Sequence, residues 1–403
     1  MATSHPWAFR ARFKRNGFGW SGTKKAMERM SEALTEIEAI ARFDPALAGE
    51  GAVLLLEKLS PALSDIDSSS GSLGNAAAGL VEALVPMIAA APVPPATREK
   101  WLERLFEAFQ DDDPPYIESL GEHWGALCAG PALASKWADQ LLPLVQRVMA
   151  DLRRGTYAYT KGDTPCFSAL FSAGRLDDLL AVLALDPKPH WQAQQWAAMA
   201  MAVRGDVDGA IACIEALRGP YASDKALSAL AEKFLLNAGR IDEAYARYGI
   251  QATDANTHIA RYRSLVKRYL SIPPSRILGD LIASAPGEEG KWFATAKTLK
   301  QFDLAIALAG RSPVDPKTLI RAARDHVKSQ PGFALESALL ALHWMARGAG
   351  YDMTSADAWA ARDHALAAAQ AMERPTDVAK RIAEAVAGQG TAAIWVRQSL
   401  GLS

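Results

Sequence analysis

The stretch that decides the fold is residues 239–244, with the sequence GRIDEA. Two copies precede it, GRLDDL at residues 174–179 and GDVDGA at residues 205–210, and a weaker copy, KQFDLA, follows at residues 300–305. The second and third copies begin 31 and 34 residues after the copy before them, and the interval of 61 residues before the last leaves room for one degenerate copy. A turn that returns at this interval indicates a chain of repeated helical hairpins.

Each position of this turn has a physical role. Glycine at the first position can adopt the left-handed conformation that ends a helix. The apolar residue at the third position seals the turn, and aspartate at the fourth position is expected to cap the second helix of the hairpin. The alanine or leucine that ends the motif starts the packing face of that second helix.

Helical periodicity extends beyond the repeats. The first apolar face, with steps of three and four residues, consists of Met27, Met30, Leu34, Ile37 and Ala41. Aspartate-proline pairs are expected to separate the helices, because the residue before proline disfavours helical geometry and aspartate caps a helix that begins with proline. These pairs are Asp44-Pro45, Asp113-Pro114, Asp186-Pro187 and Asp315-Pro316. Ser60-Pro61 either acts in the same way or only kinks one longer helix.

The repeated turns resemble those of tetratricopeptide-repeat proteins, whose period is about 34 residues. The resemblance covers residues 164–309 and lies in the turn more than in the full family consensus. It implies partner binding and an all-α fold, an α-solenoid of antiparallel helix pairs in a TPR-like or HEAT-like superhelix, and it transfers no ligand residue. Residues 67–74 and 286–293 are also similar to stretches of uncharacterised bacterial helical-repeat proteins.

We predict four regions: a basic-aromatic N-terminal arm (1–23), an N-terminal helical region (24–152), TPR-like repeats (164–310) and a C-terminal helical capping region (311–403). Residues 153–165, rich in Gly, Thr and Tyr, are the expected boundary before the repeats. The N-terminal helices either continue the repeats or form a separate bundle. Helices are expected in the last region, where they cap the apolar end of the stack, at about residues 315–329, 332–347, 355–373, 376–387 and 391–400.

Composition restricts the partners and the compartment. The formal net charge is −1, so there is no global attraction for nucleic acid or anionic membranes. Three cysteines that lie far apart are typical of a reducing compartment. The cationic residues 10–15 stand where an export signal needs an apolar stretch, and the uncharged residues 83–97 are too short to span a bilayer. We therefore expect a cytoplasmic protein that does not bind membranes.

The sequence predicts no catalytic, metal or cofactor site. None of the seven histidines has the spacing of a metal ligand with a second histidine or a cysteine. Residues 67–74 are Ser- and Gly-rich but match no nucleotide-binding motif, and residues 111–113 (DDD) are interpreted as a capping turn. We predict that the protein is not an enzyme; a catalytic site would have to be assembled from scattered helical residues.

The predicted partner site is the concave surface that the first helices of stacked hairpins usually line. These helices carry both cations and tryptophans: Trp191, Trp196, Lys225, Arg261, Arg263, Lys291, Trp292, Arg321 and Arg324. We predict a non-enzymatic scaffold that binds a protein or peptide in this groove, and an acidic segment would suit it. The other interpretation is an ordinary solvated face, with Trp196 and Trp292 in the core between repeats.

The N-terminal arm supports an alternative function. It interleaves the aromatic residues Trp7, Phe9, Phe13, Phe18 and Trp20 with the cations Arg10, Arg12, Lys14 and Arg15. Aromatic rings stack on bases and cations neutralise phosphates, so nucleic acid is the alternative partner of the arm and the groove. The other interpretation is an arm whose rings pack on the first helices while its cations stay in water.

Overall fold

The computed structural model describes residues 5–187, 190–220, 222–373 and 377–402. Within these ranges the regular elements are helices and none is a strand, and helices that follow one another in the chain pack together in pairs. The predicted fold, an all-α helical-repeat architecture, is confirmed. The chain divides into two compact units, unit 1 (Met1–Ala222) and unit 2 (Ser223–Ser403), and this division falls inside the predicted repeats.

Unit 1 is built around long apolar helices. Its α-helices are α1 (Thr23–Ala41), α2 (Pro45–Leu63), α3 (Ser72–Ala90), α4 (Pro95–Gln110), α5 (Trp124–Leu127), α6 (Pro131–Arg153), α7 (Asp163–Ser172), α8 (Leu176–Leu183), α9 (Trp191–Val203) and α10 (Val207–Ala216). Short 3-10 helices occupy Ala8–Ala11 and Glu118–His123. Pro61 lies within α2, so Ser60-Pro61 does not begin a new helix.

Helix α3 is the one described helix that is long and apolar enough to cross a membrane by length and composition. It packs on α1 and α2, and it buries Leu73, Leu80 and Leu84 against them and the rest of unit 1. A helix that packs in the core of a folded protein can have the same length and composition.

Unit 2 continues the pattern of neighbouring helices. Its α-helices are α11 (Asp224–Asn237), α12 (Ile241–Ala244), α13 (Ile250–Ala252), α14 (His258–Arg268), α15 (Pro274–Ala283), α16 (Phe293–Thr298), α17 (Phe302–Arg311), α18 (Pro316–His326), α19 (Pro331–Ala346), α20 (Ser355–Ala371), α21 (Val378–Ala385) and α22 (Thr391–Leu400). A π-helical turn, Tyr245–Gly249, joins α12 to α13, and a 3-10 turn, Glu289–Trp292, leads into α16. The five helices α18–α22 correspond to the five predicted C-terminal helices.

The repeated turn has the predicted left-handed backbone. The φ angles of Gly174, Gly205 and Gly239 are 72°, 87° and 74°, and Lys300 adopts 60° in the weak copy. The prediction that the fourth residue caps the next helix is wrong. Each helix begins at the third residue of the motif, so the cap position is the second residue. The fourth residue therefore lies inside the first turn, where a negative charge favours the helix dipole without capping it. Among the four turns, one has a side-chain cap, in which Asp206 accepts from the Gly209 amide at 2.9 Å.

Two of the four aspartate-proline predictions are confirmed. Asp44 accepts from the Leu47 amide and Asp315 from the Thr318 amide, at the starts of α2 and α18. Asp113-Pro114 leads into a turn and not a helix, because the preceding Asp112 carboxylate accepts the Tyr116 and Ile117 amides at 3.0 and 2.8 Å. Asp186-Pro187 does not begin α9, since the cap of that helix is His190.

Candidate functional site

Three of the five aromatic side chains of the N-terminal arm belong to the core of unit 1. Trp7, Phe9 and Phe13 are 6%, 1% and 1% exposed. The arm is held on α1 by hydrogen bonds from the Ala8 and Phe9 amides to the Glu36 carboxylate, at 2.8 and 3.2 Å. These three rings are not available to stack on bases.

The cations of the arm face solvent. Arg12 pairs with Glu32 on α1. Arg10, Lys14 and Arg15 are exposed and form no ion pair with any residue that the structure describes. The arm therefore has the geometry of packed rings and solvated cations, and of its aromatic residues only Trp20 is largely exposed.

Two tryptophans of the predicted groove are buried. Trp196 packs edge-on against Phe171, with ring centres 5.8 Å apart, and Trp292 packs edge-on against His258 at 4.6 Å. The expectation that these rings line the partner surface is wrong, because their large apolar area is more stable between helices than in water. Trp191, the first residue of α9, is half-buried.

The predicted cations of unit 2 separate into two groups. Lys225 and Arg261 line one cleft of about 300 Å³. Arg263, Arg321 and Arg324 are exposed outside it; Arg321 donates to the Thr318 hydroxyl at 3.1 Å and Arg324 to Asp325 at 2.9 Å. The structure thus brings together only part of the predicted set.

We call this cleft the basic cleft. It lies where the chain leaves α13 and starts α14, and its walls comprise Lys225, Gln251, Thr253, Asp254, Ala255, Asn256, Thr257, His258 and Arg261. Helix α14 begins at this wall because the Thr257 hydroxyl accepts from the Ala260 amide at 3.2 Å. The first amides of α14 therefore add partial positive charge to the cleft.

Nearby cations lower the pKa values of two groups in the basic cleft, Asp254 and His258. The pKa of Asp254 is lowered by the hydrogen bond and charge of Lys225, with a smaller contribution from Arg261. The pKa of His258 is lowered by burial and then by Lys291 and Arg261. The cleft therefore stabilises a carboxylate and disfavours a second cation. Lys291 itself pairs with Glu288 at 2.6 Å.

Arg261 has a structural bond as well as a place in the cleft. Its Nη2 donates to the Ile250 carbonyl of α13 at 2.6 Å, while its Nε is buried without a hydrogen-bond partner. The bond to α13 satisfies a carbonyl near the end of a helix. It also fixes the guanidinium at the wall of the cleft.

An ion pair between the partly exposed Arg268 and the buried Glu232 lies next to the basic cleft. The Glu232 carboxylate, in a residue 5% exposed, accepts from Arg268 Nη1 at 2.9 and 2.7 Å and from the Tyr269 hydroxyl. Arg268 also reaches the hydroxyl of Thr253, which lines the cleft, at 3.3 Å. Burial and the bond to Glu232 raise the pKa of Tyr269. This network fixes the loop that forms the basic cleft.

Unit 1 contains two larger clefts that the sequence did not predict as a site. Their volumes are about 440 and 450 Å³, and Tyr159 and Asp163 line both. The first is lined by carboxylates and the second by apolar side chains of α6. We call the pair the acidic cleft.

Burial perturbs the acids of this cleft. It raises the pKa of Asp163, although the Thr164 amide, which donates at 2.7 Å, opposes the shift. The pKa of Tyr159 is raised by burial and by the charges of Asp163 and Glu118. Lys161 is held by the carbonyls of Gln110 and Asp112 at 2.9 and 2.7 Å, at the end of α4.

The acidic cleft does not follow from the sequence, because two distant segments form its walls and each segment alone indicates a simpler role. Residues 153–165 have the composition of a boundary, and residues 111–113 have that of a capping turn. A signal is nevertheless present in the sequence, since Tyr157 and Tyr159 stand in a loop of small residues, and the structure leaves them 88% and 65% exposed. Exposed aromatic side chains on a loop between ordered helices are typical of binding positions.

Cysteine and metal chemistry do not define a site in the described residues. Cys128 and Cys166 are buried, and burial raises the pKa of each thiol to about 12. No group of three or more His, Cys, Asp or Glu side chains with the geometry of a metal site occurs in that part of the chain. No protein-family model matches the sequence, and no curated protein is significantly similar to it.

Proposed function

We propose that the protein is a non-enzymatic, TPR-like scaffold of the cytoplasm that binds an acidic segment of a partner protein at the basic cleft of unit 2. The observation that carries this proposal is the convergence of Lys225 and Arg261, from different helices, on one cleft at the start of α14. A volume of about 300 Å³ suits one acidic side chain or a chain-terminal carboxylate.

Asp254 supports the choice of ligand. Its carboxylate is bound to Lys225 and its pKa is lowered by Lys225 and Arg261. The Asp254 carboxylate thus already makes the contact with Lys225 that we assign to the ligand. A peptide carboxylate would take its place on Lys225, while the first amides of α14 stabilise the second negative charge.

The other polar groups of the basic cleft suit binding better than proton transfer. The Thr253 hydroxyl donates to the Gly249 carbonyl at 2.7 Å, and the Thr257 hydroxyl caps α14. His258, whose pKa is lowered, is neutral at pH 7 and packs on Trp292. These bonds leave the hydroxyls engaged in holding the backbone and not poised as nucleophiles beside a base.

The test uses fluorescence anisotropy with a labelled Glu-rich peptide and its Gln counterpart. Lys225→Glu should weaken binding of the Glu peptide roughly tenfold or more, because a close charge pair contributes about 1.5 kcal/mol or more. Arg263→Glu is the matched control, since it makes the same charge change on exposed α14 surface outside the cleft. It should weaken binding only about twofold, as expected of a screened surface charge.

Two outcomes would overturn the proposal. One is equal loss in the two variants, which would indicate a diffuse basic surface. The other is equal affinity of the wild-type protein for the Glu and Gln peptides, which would exclude recognition of carboxylates.

A further inference from the structure

The acidic cleft of unit 1 has two halves of different chemistry that meet at one ring. Tyr159 and Asp163 line both halves, which together offer two adjoining volumes of about 440 and 450 Å³. A ligand that fills both halves therefore lies next to Tyr159 and Asp163.

The polar half carries an excess of negative charge. Asp111, Asp113, Glu118 and Asp163 line it together with a single cation, Lys161. The ammonium group of Lys161 donates to main-chain carbonyls at the end of α4. Asp112 also lines this half, but its carboxylate is buried and accepts two amides, so we do not count it among the ligand groups. The polar half is therefore complementary to a cation.

The second half is mostly apolar, although Asp186 and His190 also line it, and it is flanked by aromatic surface. Val145, Met149 and Leu152 of α6 line it, and Tyr157 and Tyr159 stand at its edge. Both tyrosines are largely exposed, so each has apolar ring area that contact with a ligand would remove from water. This observation is independent of the carboxylates and points to a ligand with an apolar body.

We infer that the acidic cleft binds an organic cation with a hydrocarbon body. Its ammonium or guanidinium head lies beside Asp163 and Glu118, within reach of the face of Tyr159, and its hydrocarbon lies along Met149 and Leu152. Aromatic faces attract cations, and the attraction is stronger where water is excluded. This site is separate from the basic cleft and does not depend on the function proposed for unit 2.

The test is isothermal titration calorimetry of the full chain with a matched series of small molecules. Octylammonium, octanol and octanoate have the same hydrocarbon and differ in the head, and tetramethylammonium supplies a head without the hydrocarbon. We expect octylammonium to bind at least tenfold more tightly than octanol or tetramethylammonium, and octanoate to bind most weakly.

Variants identify the groups responsible. Asp163→Asn should lower the affinity for octylammonium at least fivefold and leave the affinity for octanol unchanged. Tyr159→Ala should weaken octylammonium, whereas Tyr159→Phe should retain its binding because the ring remains. Tyr351→Ala, which removes a more exposed tyrosine from unit 2 (86% against 65% for Tyr159), is the control and should have no effect.

Because Asp163 is the first residue of α7, Glu118→Gln serves as a second charge variant if Asp163→Asn lowers the melting temperature. Equal binding of octanol and octylammonium would overturn the inference, since it would show an apolar pocket without charge selection. Absence of octylammonium binding, or unchanged octylammonium affinity in a folded charge variant, would overturn it as well.

Discussion

Unit 1 and unit 2 each place a cleft where one helix ends and another begins, and the two clefts have opposite charge. The acidic cleft is formed at the start of α7 and the basic cleft at the start of α14. A cationic side chain connects the chain segments at each cleft. At the acidic cleft Lys161 donates to neutral carbonyls, whereas near the basic cleft Arg268 pairs with the buried Glu232 carboxylate. The comparison indicates that the charge of a cleft at the start of a helix is set by the side chains of the connecting loop.

The largest expected difference between the units is in the free energy of unfolding that is lost when Arg268 or Lys161 is replaced. Arg268→Leu leaves the buried Glu232 carboxylate with the Tyr269 hydroxyl but without its cation; because Arg268 is partly exposed, this should reduce the stability of unit 2 by about 2 kcal/mol. Lys161→Met loses bonds to neutral, partly solvated carbonyls and should reduce the stability of unit 1 by about 1 kcal/mol. Hydrogen exchange of amides in α11 and α4 measures the two effects separately.

The double variant Arg268→Leu with Glu232→Gln is the control for this comparison. Because it removes both charges, it should recover part of the stability that Arg268→Leu loses. Equal losses of stability for Arg268→Leu and Lys161→Met would contradict the proposed difference between the contacts of the two cations.

The repeated turns also differ between the units. Unit 1 has glycine at both left-handed positions, whereas unit 2 has Gly239 and Lys300. Gly239→Ala should destabilise by about 1–2 kcal/mol, and Lys300→Gly should stabilise by up to about 1 kcal/mol, because a side chain is strained at this φ angle. Urea unfolding measures both, and a stabilising Gly239→Ala would contradict the role of the turn.

The basic cleft contains a carboxylate of its own, that of Asp254, which pairs with Lys225. Asp254→Asn removes the carboxylate that competes for Lys225, so affinity for the Glu-rich peptide should rise by roughly fivefold. Octylammonium binding to unit 1 should not change and provides the control. A loss of peptide affinity would show that Asp254 helps to hold the ligand.

The smallest expected effect is the response of the basic cleft to pH. His258 faces Lys291, Arg261 and Glu288, and its pKa lies below the ordinary value for histidine. It is therefore neutral at pH 7 and gains a proton as the pH falls, which adds a cation beside a ligand that is still ionised. Affinity for the Glu-rich peptide should rise as the pH falls below about 6.5, the ordinary pKa of histidine, and His258→Gln should remove this dependence. The same pH profile in that variant would assign the titration to another group.

The sequence predicts the helices well because their determinants are local. Apolar periodicity and proline positions place α19 at Pro331–Ala346, against an expectation of residues 332–347. The left-handed glycine turns follow from the same kind of short-range pattern. The predicted capping position is wrong by two residues, because a turn motif alone does not show where helical hydrogen bonding begins.

The clefts are harder to predict because they depend on contacts between distant residues. Glu232 and Arg268 are 36 residues apart, and Lys161 meets Gln110 over 51 residues. The repeat spacing is sufficient to group Lys225 with Arg261, since it brings successive hairpins side by side. It does not show which side of a helix faces the core, so the partner-surface prediction for Trp196 and Trp292 is wrong.

Several helix ends in this chain are closed by donors that come later in the sequence. Lys161 binds the last carbonyls of α4, Arg98 binds the Ile88 carbonyl of α3 at 2.8 Å, and the Trp344 indole binds the Ala309 carbonyl of α17 at 2.7 Å. During synthesis the amino-terminal part of a chain emerges first. Each of these carbonyls therefore leaves the ribosome before the side chain that binds it, and water has to satisfy it until then.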